Sequence, residues 1–271
     1  KDKFPTHFID MGISEQDMVG TAAGLVLGGM LPFVSTYGVF LAGRAWDQIR
    51  TTVCYNELNV KLAGAHAGIS VGSDGATHQA LEDVAIMRVL PHMTVVVPCD
   101  AEETRKATHA IAKAKGPCFI RFGREAVPVV TGEDTPFVLG KARLCRAGED
   151  VTIVANGAMV HEALGAASEL EKEGLSAEVI DMHTVKPIDV PALLESIRKT
   201  GCLVTAEEHQ MYCGMGSAVA ECVVHHEPVP MEMVAIKDTF GESGTPDELM
   251  QAYGLDAAHI VAAARKAVAR K

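Results

Sequence analysis

The chain has 271 residues, 48% hydrophobic and 22% charged, an ordinary globular composition with length for one large domain or two medium ones. Its net charge of −11 argues against nucleic acid and anionic membrane surfaces as partners, while leaving room for local basic sites that bind an anionic substrate. Seven cysteines stand singly, odd in number and without a C-x-x-C pair, which points to reduced, mostly buried thiols and a cytoplasmic location.

No run is apolar and long enough to span a bilayer, and no charged-then-apolar signal opens the chain. A strand-like run at residues 8–11 follows Lys1 almost at once, so upstream residues of the first domain are expected to be missing. That run ends in Gly12, and Ser14 fits the N-cap of a helix reaching Gly28, which puts Glu15 in the first turn. The helix is apolar nearly all round, which predicts burial on most sides and places Glu15 at the edge of a dry region. Strand-like runs then alternate with helical ones: strand 32–35, helix 44–50, strand 60–63, a loop, helix 79–89, strand 94–97, helix 101–114 and strand 117–122. Residues 124–140 carry Pro128, Gly132, Asp134 and Pro136 without periodicity and read as a linker region. The alternation resumes with strand 151–155, helix 160–173, strand 177–180, helix 190–199, strand 202–206, helix 216–225, strand 230–236 and two terminal helices. Continuous Val/Ile/Leu strands between helices predict two doubly wound α/β domains, over 1–128 and 141–271, joined by a linker at 129–140.

Four stretches carry residues that could do chemistry. Glu15 is either a helix-dipole partner or a general acid, since apolar surroundings favour the neutral carboxyl that such an acid needs. Tyr37 and Phe40, three apart where a strand passes into a helix, could form a stacking wall for a planar ligand or belong to the core. Residues 64–83 set four glycines around His66, Asp74 and His78 on the side where open α/β sheets bind ligands. No third His or Cys stands at zinc-ligand spacing there. Arg124, just past a buried strand, suits a bidentate grip on phosphate or a surface ion pair with Glu125.

Together these stretches resemble the C-terminal half of transketolase, a thiamine-diphosphate enzyme. The segments are MGISEQDMVG, STYGVFLAGRAWDQIR, GISVGSDGATHQALED and FIRFGRE, with IDMHTVKPID, TAEEHQMYCGMGSAVAE and DTFGESGTPDELMQAYGL downstream. The resemblance covers essentially the whole chain in order. It implies that Glu15 protonates the cofactor's pyrimidine ring and that Tyr37 and Phe40 pack on that ring. It further implies that His78 serves the donor C1 hydroxyl, Asp74 reads hydroxyl stereochemistry, and His66 with Arg124 holds the sugar phosphate. The implied reaction is transfer of a two-carbon ketol unit from a ketose phosphate to an aldose phosphate.

The G-D-G…N motif by which the family binds diphosphate and magnesium is absent, and Ser73-Asp74-Gly75 is not one. The resemblance therefore implies one subunit of a split enzyme, α2β2 with a β–β contact, whose partner brings the diphosphate site and holds Mg2+ or Ca2+. Position 37 is Tyr where the family often has Phe, which keeps the stacking face. 1-Deoxyxylulose-phosphate synthase shares the D-G-x-T-H-Q loop, but tends to have Y-P-R-G-N where this chain has Phe122-Gly123-Arg124-Glu125. The β subunit of 2-oxo-acid dehydrogenases usually lacks the S-D-G-A-T-H-Q pattern. A non-catalytic assembly relative is opposed by the presence of Glu15, Asp74, His66 and His78.

Overall fold

A computed structural model describes residues 1–271. In chain order, α1 (Glu15–Leu27) leads to β1 (Phe33–Tyr37), α2 (Gly38–Arg44), and α3 (Trp46–Gln48), which runs on as a π-helical segment to Cys54. Then come β2 (Lys61–Ala65), α4 (Asp83–Arg88), β3 (Thr94–Val96), α5 (Ala101–Lys113) and β4 (Cys118–Arg121). The second half comprises β5 (Arg143–Arg146), β6 (Val151–Ala155), α6 (Met159–Lys172), β7 (Ala177–Asp181), β8 (Thr184–Lys186), α7 (Val190–Thr200), β9 (Leu203–Gln210), α8 (Met215–His226), β10 (Met231–Ile236), α9 (Pro246–Ala252) and α10 (Ala257–Val268).

The strands form two five-stranded sheets, ordered β1-β2-β4-β3-β8 and β10-β9-β6-β7-β5. In each, four strands run parallel and one edge strand runs antiparallel, β8 on β3 and β5 on β7. Every residue of β4, β6 and β7 is buried, which is why their sequences read as continuous rather than alternating runs. Aspartates cap the helices that flank the sheets: Asp100 accepts from Glu103 N at 2.8 Å and Asp256 from His259 N at 2.9 Å.

The two halves interlock. β8 belongs to the second half of the sequence yet completes the first sheet. One apolar cluster of 32 buried residues joins Val19, Leu41 and Leu62 to Met182, Leu193 and Val219. A second, of 25 residues, lies under α6 and α10.

Four local expectations change. Residues 8–11 form no strand, because no neighbouring strand takes their backbone groups, and Phe8 and Ile9 stay exposed. The helix expected at 44–50 starts earlier, at Gly38, and the one expected from 79 begins at Asp83. Ala80 is instead committed to a bridge with Ala67, and its carbonyl accepts from Gly68 N. Finally, α1 is buried along one face only, at Glu15, Val19, Ala22 and Ala23, leaving Gly20, Gly24 and Leu27 open. Composition does not distinguish a face covered by its own chain from one left free.

Candidate active site

The carboxyl ends of the parallel strands β1, β2 and β4 lie together, where open α/β sheets bind ligands. Tyr37 ends β1 and stands immediately before α2, while Phe40 lies in the first turn of α2, so the two rings meet at 5.8 Å between centroids. His66 follows β2 with a φ of +53°. Its ring stacks on Tyr37 at 4.4 Å and 27°. The His78 ring stands edge-on to both aromatics, 5.7 Å from Tyr37 and 5.2 Å from Phe40.

Arg44, one turn beyond Phe40, lays its guanidinium 4.0 Å from that ring's centroid and points Nη1 at Glu15 Oε2, 3.4 Å away. Glu15 is the first residue of α1 and is buried. Ser14 stands in the N-cap position, but its hydroxyl donates to the Met11 carbonyl instead of capping the helix. An unbroken series of contacts thus runs from the Glu15 carboxyl through Arg44, Phe40 and Tyr37 to two imidazoles. Sequence reasoning misses Arg44, whose one signal is its four-residue spacing from Phe40.

The glycine-rich stretch forms a short 3-10 turn over Ile69–Asp74. Asp74 Oδ1 meets Arg124 Nη1 at 3.4 Å, and Arg124 also donates to the Val71 carbonyl at 3.4 Å. Its Nε lies 3.7 Å from Glu125. These are long, partly exposed contacts of the kind that contribute little, so the guanidinium is free to exchange them for a stronger anion. Thr77 Oγ1 and His78 Nδ1 are 2.9 Å apart. His66 Nδ1 is buried without a hydrogen-bond partner, which a polar ligand atom could supply. All seven residues singled out in the sequence lie on these converging loops and helix starts. They form two groups, Glu15 with the rings and Asp74 with Arg124, linked through the loop from His66 to His78.

A carboxyl near half-buried aromatic rings has the chemistry to hold an aminopyrimidine ring: a hydrogen-bonding acid and a stacking surface. A cavity of about 380 Å³ lies behind the loop, lined by Ser70, Glu125, His161, Glu162 and Asp247 among others. The aromatic cluster is no part of that cavity's wall.

Two family models match the chain, the transketolase pyrimidine binding domain over residues 1–130 and the transketolase C-terminal domain over residues 140–260. The chain belongs to the transketolase family. Apart from β8, the two sheets of this transketolase chain correspond to those two domains. It is 45% identical over 269 residues to the 6-deoxy-6-sulfo-D-fructose transketolase subunit SqwH of Clostridium sp. (strain MSTE9), covering 99% of this chain and 84% of that one. It is 39% identical to an apulose-4-phosphate transketolase subunit of Phocaeicola vulgatus, covering 94% and 81%. A solved structure described as a split gene transketolase, inactive beta4 tetramer, superposes with a TM-score of 0.95 at 50% identity, covering 100% of this chain and 87% of the other. Transketolases depend on thiamine diphosphate.

Proposed function

We propose that this chain is the pyrimidine-side subunit of a split transketolase which, joined to a separate diphosphate-binding chain, transfers a two-carbon ketol unit from a ketose phosphate to an aldose phosphate. The observation that carries this reading is the contact series from Glu15 through Arg44, Phe40 and Tyr37 to His66 and His78. Thiamine diphosphate, when bound, would supply the electron sink for breaking the carbon–carbon bond beside a ketone.

The chain's own residues take the remaining tasks. Tyr37 and Phe40 hold the pyrimidine ring, and Glu15 holds a proton at its ring nitrogen. His78 sits at the donor C1 hydroxyl, where a proton has to move. Asp74 reads the orientation of a donor hydroxyl, and His66 and Arg124 grip the anionic end of the sugar. The two named relatives differ at that end, a 6-sulfo group in one name and a 4-phosphate in the other, so a terminal anion is their shared chemistry.

The relatives named as transketolase subunits, and the structure described as a split gene transketolase, support a separate partner that holds the diphosphate through Mg2+ or Ca2+. The open face of α1 and the relative described as an inactive beta4 tetramer support an α2β2 assembly in which β chains touch. Seven free cysteines support a cytoplasmic location, and no helix is long and apolar enough to cross a membrane.

The test is to purify the chain with the G-D-G…N protein that accompanies it and supply thiamine diphosphate, Mg2+ and a ketose phosphate. Ketol transfer to an aldose phosphate is expected. A stoichiometric complex that binds cofactor and transfers nothing overturns the reading.

A further inference from the structure

We propose that Glu208 and Gln79 are positioning residues of this site, through which the second domain holds the loop of residues 68–75 in its binding shape. What the loop binds follows from the ketol-transfer reading, on which this inference rests.

Glu208 lies in β9 of the second sheet and is buried. Its Oε1 crosses the seam between the sheets and accepts from Ser70 N at 2.7 Å. That approach requires glycine at position 68: a Cβ there would stand 2.2 Å from Glu208 Oε1, and the φ of +89° suits glycine in any case. Arg121, itself buried, secures the base of the same contact. Its Nη2 donates to the carbonyls of Glu208 at 2.8 Å and Ala80 at 3.0 Å, and its Nε to both oxygens of Asp83.

Gln79 grips the carbonyl side of the same Ile69–Ser70 peptide link. Its Nε2 donates to the carbonyls of Ile69 at 3.1 Å and Glu242 at 3.0 Å, tying the loop to the segment that leads into α9. A Cβ at Gly241 would lie 1.9 Å from Gln79 Oε1, and one at Gly75 would lie 2.7 Å from Ser243 Oγ, so the two segments meet backbone to side chain.

Gln79 directly follows His78, Asp74 ends the held turn, and Arg124 leans on the Val71 carbonyl of the same turn. Three residues placed at the substrate are therefore aimed by groups that reach the loop from behind. Apolar side chains of the same size would fill this space at less desolvation cost. Buried polar groups donating to and accepting from loop backbone add what apolar packing lacks, a single fixed geometry.

The test uses the assembled enzyme with two disruptive variants of similar shape, Gln79→Met and Glu208→Leu, and one conservative variant, Glu208→Gln. Both disruptive variants are expected to lower kcat/KM for the ketose phosphate about 10- to 100-fold, the scale of a displaced catalytic geometry, with thiamine diphosphate affinity unchanged. Amide exchange should quicken over residues 69–75 while β1 and β2 keep their protection. Glu208→Gln, which keeps an acceptor for Ser70 N, should rescue both readouts. Faster loop exchange with unaltered kcat/KM overturns the positioning role, as does loss of protection spread through both sheets. Should the unaltered assembly transfer no ketol unit, the functional reading fails by itself. The exchange data then decide separately whether Glu208 and Gln79 hold the loop.

Discussion

At the scale of single residues, Glu15 and Arg124 present opposite situations. Glu15 is buried in the first turn of α1 with Arg44 as its charged neighbour, so a change at its carboxyl acts on whatever that carboxyl holds. Glu15→Gln keeps the shape and removes the acid. Ketol transfer by the assembled enzyme is expected to be abolished with assembly intact, as read by coupled assay and by analytical ultracentrifugation; an unimpaired variant would remove the acid role. Arg124 is partly exposed, and its contacts to Asp74 and Glu125 are long. Arg124→Ala is expected to raise KM for phosphorylated ketoses far more than for unphosphorylated ones, since a hydrogen bond to a charged group contributes about 1.5–3 kcal/mol. Equal effects on both substrates would take Arg124 out of the phosphate grip. Glu15, Tyr37, Phe40, His66, Asp74, His78 and Arg124 could be named from residue type and place along the chain. Arg44, Gln79 and Glu208 could not, because their roles lie in contacts 29, 163 and 138 residues away.

At the scale of elements, the buried apolar runs were legible and the two antiparallel edge strands were not. β6 and β7 are buried along their whole length because both faces are covered, and α5 and α7 carry aspartate caps that mark where they start. β5 and β8, Arg-Leu-Cys-Arg and Thr-Val-Lys, carry charged residues that interrupt any apolar run, and they exist because an edge of each sheet accepts them. Asp189 illustrates how one cap serves two elements. It accepts from Ala192 N at the start of α7 and from Ala142 N just before β5, and it is buried. Asp189→Ala is therefore expected to cost about 1–2 kcal/mol, at the upper end for an N-cap, measured by urea denaturation of the chain. A loss within error would mean that the cap contributes nothing beyond its position.

At the scale of the whole molecule, the seam between the sheets carries charge as well as apolar packing. Asp181, at the end of β7, is fully buried; Arg143 Nη2 donates to its Oδ2 at 3.0 Å while Oδ1 has no partner. Cys99 and Glu103 from the first half lie beside it. Burial first, and the charge of Glu103 second, hold the Asp181 carboxyl well above the usual carboxylate range. The folded chain thus keeps a proton that the unfolded chain releases above about pH 4. More protons bound in the folded state means that stability falls as pH rises from there through the raised value. Asp181→Asn, which no longer titrates, should flatten the fall of the unfolding midpoint as pH rises above about 4. Parallel curves for the two proteins would place that pH dependence elsewhere. The sequence by itself determined the α/β class, the order of the main elements and the residues fit for chemistry, since these follow from local periodicity, caps and side-chain type. Only the tertiary structure decided that β8 crosses into the first sheet, that one face of α1 stays open, and that Glu208 and Gln79 grip the loop from behind. Each of these depends on which distant segment supplies a hydrogen-bond partner or covers a surface, and local pattern carries no record of that choice.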